Sequence, residues 1–291
     1  MRVLIAGANG QLGRELQRCL PDGIKLLGLG SQELDIRNGE AVASKVSAFK
    51  PQVIINAAAY TAVDRAESEQ EAAFAVNGQG AANLARAACA VGAYCLQVST
   101  DFVFDGAQSS PYLPADRTNP LGVYGASKLA GEQLTLTAYP AGMAVLRTAW
   151  LYSSFSNNFV ITMLRLMTER ESIAVITDQV GTPTWGRGLA EAIWQMCQVQ
   201  PKGICHWTDA GVASWYDFAV AIQEESLACG LLDREIPILP INTVDYPTPA
   251  KRPSYSVLDK TETWAALGVT PPHWRQALRQ MLLEYKENRG A

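Results

Sequence analysis

Five short apolar runs punctuate the first half of the chain. Val3-Leu4-Ile5-Ala6, Lys25–Leu29, Gln52-Val53-Ile54-Ile55-Asn56, Tyr94-Cys95-Leu96-Gln97-Val98 and Met143-Ala144-Val145-Leu146 are continuous rather than alternating. Such runs read as strands covered on both faces. Helical patterns lie between them. Leu12, Leu16 and Leu20 share one stripe, Gly39–Phe49 and 124–136 read as helices, and 67–91 is an Ala-rich helical region broken near Gly78-Gln79-Gly80. Strands alternating with helices predict an α/β fold with a doubly wound parallel sheet.

Beyond Arg147 the alternation becomes irregular and prolines gather, as in Gly181-Thr182-Pro183 and Tyr246-Pro247-Thr248-Pro249. Trp150, Trp207 and Trp215 fall here too. Gly7, Gly10 and Gly13 follow the first run as a pyrophosphate-type turn, so the expected organisation is a dinucleotide-binding domain of residues 1–148 plus roughly 173–208. A smaller, discontinuous substrate-binding lobe takes roughly 149–172 and 209–291. The segments 173–177 and Gly203–His206 are expected to return to the main sheet as strands.

Composition narrows the function classes. Of 291 residues, 48% are hydrophobic and 18% charged, enough for a sizeable core. A net charge of −4 without a basic run argues against nucleic acid. No apolar stretch reaches about 18 residues, which argues against a membrane span. Met1-Arg2-Val3-Leu4-Ile5-Ala6-Gly7 turns too early for a signal peptide. The six cysteines show no C-x-x-C spacing, and His206 and His273 are the only histidines. That disfavours zinc and suits reduced packing cysteines in a cytoplasmic protein.

Chemistry enters at three places. Gly7, Gly10 and Gly13 form G-x-x-G-x-x-G between an apolar strand and an amphipathic helix, the context a pyrophosphate-binding turn requires. The position near the end of the second strand, Leu29-Gly30-Ser31-Gln32, lacks the carboxylate that NAD enzymes often use on the ribose. Glu33 and Asp35 follow, and Arg37 stands ready for a 2′-phosphate. The reading is NADPH, with NADH left open as a second donor. Tyr124 and Lys128 lie one helical turn apart, so an ammonium faces a phenol that ordinarily titrates near pH ~10. Such a pair moves a proton when a carbonyl becomes an alcohol. Thr100, in Val98-Ser99-Thr100-Asp101, ends the fourth strand, on the edge where ligands bind in open parallel sheets.

With these motifs the chain resembles the extended short-chain dehydrogenase/reductases, which carry a Rossmann fold. It is most similar to the dTDP-4-dehydrorhamnose reductase branch. The resemblance runs through Gly10-Gln11-Leu12-Gly13-Arg14-Glu15-Leu16, Asn56-Ala57-Ala58-Ala59-Tyr60-Thr61-Ala62-Val63-Asp64 and Ser99-Thr100-Asp101-Phe102-Val103-Phe104-Asp105-Gly106. It continues through Val123-Tyr124-Gly125-Ala126-Ser127-Lys128, Leu146-Arg147-Thr148-Ala149-Trp150 and Pro249-Ala250-Lys251-Arg252-Pro253. It implies NADPH-dependent reduction of the C4 ketone of a dTDP-linked 6-deoxy-4-keto hexose to dTDP-L-rhamnose. Tyr124 would be the proton donor, with Lys128, Thr100 and Asp101 beside it. Gly7, Asn9, Gly10, Gln11, Leu12, Gly13, Asp35, Ile36, Ala57, Ala58, Ala59 and Asn77 would line the cofactor together with Tyr124 and Lys128. Thr61, Val63, Thr100 and Trp150 would lie by the sugar, and Arg252 by the diphosphate. For part of this branch the resemblance also implies a homodimer bridged by Mg²⁺. Glu15 occupies the ligand position, and Glu191 is the acid on offer from a later helix.

Two other readings stay open. An epimerase or dehydratase would use the same Tyr, Lys and Thr with tightly retained NAD, although dehydratases commonly carry an acidic pair where Asp101-Phe102 stands. A non-catalytic NADP-binding subunit, like the regulatory subunits of methionine adenosyltransferase, would not need the complete set.

Overall fold

Each apolar run of the first half becomes a strand, and together they form one parallel sheet. The computed structural model describes residues 1–290. The strands are β1 (Arg2–Ala6), β2 (Lys25–Leu29), β3 (Val53–Asn56), β4 (Tyr94–Thr100) and β5 (Met143–Thr148). Between them run α1 (Gln11–Arg18), α2 (Gly39–Phe49), α3 (Val63–Ala66), α4 (Gln70–Phe74), α5 (Ala81–Val91) and α6 (Val123–Ala138). Successive strand side chains point to opposite faces. Val3 and Ile5 therefore join Leu12 and Leu16 on one side, while Leu4 and Ala6 join Val42, Val46 and Leu84 on the other.

The second half adds β6 (Leu151–Tyr152), α7 (Phe159–Glu169), β7 (Ile173–Ile176), β8 (Val180–Gly181), β9 (Thr184–Trp185), α8 (Gly186–Val199) and β10 (Gly203–His206). Then come β11 (Ala213–Ser214), α9 (Trp215–Ala228), β12 (Ile238–Ile241), α10 (Thr261–Leu267) and α11 (Trp274–Gly290). The main sheet runs β10-β5-β4-β3-β1-β2. Winding reverses between β1 and β3, so a crevice opens beyond their carboxyl ends. A second core gathers Tyr152, Met163, Phe218, Ile222, Leu278 and Met281 from the later elements. Among the described residues no helix is long and apolar enough to cross a membrane.

Three local expectations change. Gly203–His206 joins the main sheet beside β5, but β7 pairs with β12 in a separate two-stranded ladder. The cause is in its pattern: Ile173 and Val175 are buried while Ala174 between them is exposed. A strand with one wet face does not suit a sheet covered on both sides. The glycines of 78–80 do not break the helix either. Ala75–Gly80 is a π-helical stretch that carries the chain from α4 into α5, and such stretches are frequent at functional sites. Leu20 lies past the end of α1 and is 36% exposed, so the buried stripe stops at Leu16.

Beneath the crevice lies a buried ion pair. Arg147 donates to Glu132 from Nε at 3.0 Å and from Nη2 at 2.7 Å. Ser99 donates to Glu132 Oε1 at 2.5 Å. Arg147 Nη1 reaches the Pro114 carbonyl at 3.2 Å, and the guanidinium stacks over Phe104. His206, at 3.4 Å from Arg147, is driven down to about 3 by burial and by that guanidinium, so it stays neutral and accepts. Removing one partner strands a buried charge. Glu132→Gln is therefore expected to cost about 3–5 kcal/mol in urea unfolding, and the double change Glu132→Met/Arg147→Met clearly less. Equal losses in both would show that the pair is not the source.

Candidate active site

The turn after β1 is shaped by close backbone approach. A Cβ on Gly13 would lie 2.2 Å from the Gly7 carbonyl oxygen, and one on Gly7 would lie 2.5 Å from the Ala58 nitrogen. Only glycine lets β1, α1 and the segment after β3 meet so tightly. The N-cap of α1 is Gly10, which offers no side-chain cap, and the first turn holds no acid. By contrast α2 and α7 are capped by Asn38 and Asn158. The N–H groups of α1 thus remain available to an anion, with the helix dipole behind them. These features fit a dinucleotide pyrophosphate.

The crevice has two connected stretches of wall. Gly7, Asn9, Gly10, Asp35, Ile36, Ala57, Ala58 and Ala59 line one side. A neighbouring cleft of about 610 Å³ brings together Gly10, Gln11, Leu12, Thr61, Val63, Thr100, Asp101, Tyr124, Lys128, Trp150 and Arg252. Helix α6 delivers Tyr124 and Lys128. Its first N–H, on Val123, is taken by the Glu67 carboxylate at 2.8 Å. Gly125 permits contact with the turn after β4, where a Cβ would lie 2.2 Å from the Phe102 carbonyl oxygen. Thr100, the last residue of β4, donates to Asp101 Oδ1 at 3.0 Å and accepts from Phe102 N at 3.2 Å, and lines the same cleft as Tyr124.

Comparison with known proteins places this architecture. The family described as RmlD substrate binding domain matches residues 1–287. The chain belongs to that family. It is 45% identical over 288 residues to the dTDP-4-dehydrorhamnose reductase of Aggregatibacter actinomycetemcomitans, covering 96% of this chain and 98% of the relative. The crystal structure of a dTDP-4-dehydrorhamnose reductase from Clostridium acetobutylicum superposes with a TM-score of 0.91 at 39% identity, covering both chains fully at 100%. That of the Bacillus anthracis enzyme, in complex with NADP, gives 0.92 at 36% identity, covering 97% of this chain and 99% of the other.

Within this RmlD-type cleft, burial governs the electrostatics. Desolvation pushes Tyr124 up to about 12, against the pull of Thr100 and with a further push from the Asp101 charge. Lys128 is brought down to about 8 by burial, against the attraction of Glu132. Its Nζ donates to the Val98 carbonyl at 2.7 Å. Lys128 therefore does not lower the phenol in the chain alone, because its ammonium is engaged by the Val98 carbonyl and burial dominates at Tyr124. Asp101 is pushed up to about 6 by burial, held down by the hydroxyls of Ser256 and Thr100.

Some expected residues lie behind the cleft wall or are already engaged by neighbours. Asn77 spends its amide on bracing: it accepts from Tyr60 N at 2.8 Å and donates to Tyr60 O and Ser127 Oγ at 3.1 and 2.9 Å. Gly13 acts by packing rather than by facing a ligand. Arg37 forks onto Asp35 through Nη2 at 2.7 Å and Nε at 2.9 Å, an exposed pair that leaves Nη1 outside it. Glu33 folds back to accept from Gly30 N at 2.9 Å, which returns a carboxylate to the end of β2. Arg252 is held by Asp64 at 2.9 and 3.1 Å and by Thr248 at 2.6 Å.

Glu15 does not fit the magnesium expectation. Its carboxylate is fully buried, lies 3.9 Å from Arg18, and is raised to about 7 chiefly by burial. The nearby Glu284 is held by Arg18 at 2.6 Å and also by Arg187. Among the described residues no group of three or more His, Cys, Asp or Glu side chains is poised for a metal. The arginines take Glu284, while both Glu15 oxygens are buried without a hydrogen-bond partner, and no further acids gather there to complete a metal shell among the described residues.

Residues missed in the sequence include Trp215, Thr148 and Asn157, which also line the cleft. For Trp215 one local signal existed, the Ser214/Asp217 capping box that starts α9 beside it. Gly13→Ala is expected to weaken NADPH binding about a hundredfold in fluorescence titration, as the added methyl meets backbone. Unchanged affinity would show that the loop tolerates displacement and does not shape the site.

Proposed function

We propose that the protein reduces the C4 ketone of dTDP-4-dehydro-L-rhamnose to dTDP-L-rhamnose with NADPH. The observation that carries this reading is the convergence of Tyr124, Lys128 and Thr100 in one cleft with the uncapped start of α1. Near-full-length likeness to reductases of that name gives the substrate class. When bound, NADPH supplies the hydride that reaches C4. Tyr124 gives its phenolic proton to the oxygen at C4, so the carbonyl becomes a secondary alcohol. A phenol held up at about 12 stays protonated through neutral pH, as a donor must. Thr100 steadies charge on the reacting oxygen from beside the phenol. Lys128 keeps a positive charge at the cofactor's ribose, and Arg252 meets the diphosphate with its remaining N–H groups.

NADPH is preferred in this reading, supported by the NADP-bound relative. The Asp35–Arg37 pair and the returned Glu33 carboxylate leave NADH open as a second donor. Titration with both, with a strong preference for NADH, would remove the NADPH assignment.

Two further outcomes test the chemistry. Tyr124→Phe should bind NADPH normally and lose about 10²–10⁴-fold in turnover; retained activity would take the proton from another group. Lys128 loses its charge as pH rises through about 8. The reductive kcat/KM is therefore expected to hold through neutral pH and fall above that value, whereas a profile still flat at about pH 10 would exclude a role for that charge. Denaturing the purified protein separates the epimerase or dehydratase reading, because stoichiometric release of NAD would contradict a reductase that exchanges its dinucleotide.

A further inference from the structure

Trp150 takes a left-handed backbone, with φ of 46°. A bulky residue is strained there and persists only where its surroundings over-determine it. Two supports do so. Its indole lies flat on that of Trp215, ring centroids 3.5 Å apart and planes 3° from parallel. A Cβ on Gly181 would come within 2.6 Å of Trp150 Cε2 and Nε1, so the indole also rests on bare backbone. Aromatic pairs left to themselves prefer offset or edge-on arrangements with wider spacing. A near-coincident stack is therefore imposed by its frame.

That frame is one small ribbon. In the antiparallel pair of β8 and β11, Gly181 faces Ala213. Trp215 follows directly as the first residue of α9, whose start is set by reciprocal hydrogen bonds between Ser214 and Asp217. Phe159 backs Trp215 with its centroid at 4.6 Å. The stack also has a fixed relation to the chemistry. Thr148 is in register with Thr100 across β5 and β4, and Trp150 comes just after Thr148. Both indoles line the cleft that holds Thr100 and Tyr124.

We infer that Trp215 is a positioning and specificity-determining residue: it holds the strained Trp150 indole as a rigid plate against the sugar ring that carries the ketone. This rests on the keto-sugar reading above. The face of an indole offers packing but no hydrogen-bond partner. It suits the C–H-bearing face of a 6-deoxyhexose, and a hydroxyl pressed onto it would lose water without replacement. On this inference the base and diphosphate of the nucleotide, and the dinucleotide, do not depend on the plate.

Steady-state kinetics and near-ultraviolet circular dichroism test this on the intact chain of 291 residues. Trp215→Ala should raise the KM for the keto sugar about tenfold. The inhibition constant for dTDP and the dissociation constant for NADPH should stay within about twofold of wild type. Trp215→Phe, which keeps an aromatic support and should fold if the alanine variant does not, should raise that KM by a few-fold only. The couplet expected from stacked indoles should vanish in both. An unchanged KM in either variant after loss of the couplet would overturn the inference. Parallel losses of sugar, dTDP and NADPH binding would also overturn it, as general damage to the lobe. A wild-type protein that does not turn over the keto sugar would instead overturn the reading on which this rests.

Discussion

The buried pair between Glu132 and Arg147 is the constraint on which the cleft depends. It joins α6, which carries Tyr124 and Lys128, to β5, and through Ser99 to the end of β4, which carries Thr100. Neither charge can be left alone in so dry a place without a large desolvation cost. The three elements are therefore held in one register. The contact of Gly125 with the Phe102 carbonyl sets the same helix from its other end. The positions of Tyr124, Lys128 and Thr100 are thus inherited from a polar network one layer below them.

The same dryness sets the proton chemistry. Burial raises Tyr124 and Asp101 and lowers Lys128, so each group is pushed toward its neutral form. A protonated phenol beside a hydroxyl is the arrangement that reduction of a carbonyl asks for. In the proposed reaction, positive charge for the anionic ligands would come instead from backbone N–H groups at the start of α1 and from Arg252, which lines the cleft. Asp64 orients that arginine across the boundary between the sheet and the later lobe.

What the sequence revealed divides along physical lines. Strands buried on both faces were legible because burial leaves an unbroken apolar run, and the glycine turn was legible because backbone proximity demands glycine. β7 reads Ile-Ala-Val-Ile, apolar throughout, so its wet face at Ala174 leaves no mark in the sequence and the segment passes for a strand of the main sheet. Gly78 and Gly80 looked like a break, but a π-helical turn accommodates them without one. Asn77 illustrates the limit of resemblance: its amide is consumed by Tyr60 and Ser127. The stack of Trp150 on Trp215 and the pairing of Arg252 with Asp64 join distant segments, and no local pattern announces such contacts. Glu15 kept its place on α1, yet its carboxylate is buried there and no group of three acids forms around it among the described residues.

The most direct measurement follows the hydrogen itself. The enzyme is supplied with the dTDP-linked 4-keto-6-deoxyhexose and NADPH deuterated at C4 of the nicotinamide on its transferable face. The product is then read by proton NMR and mass spectrometry. The account predicts one deuterium at C4 of the dTDP-L-rhamnose formed, and one NADP⁺ for each product molecule. Product without the label, or label retained on the nucleotide while the sugar only changes configuration, would contradict it.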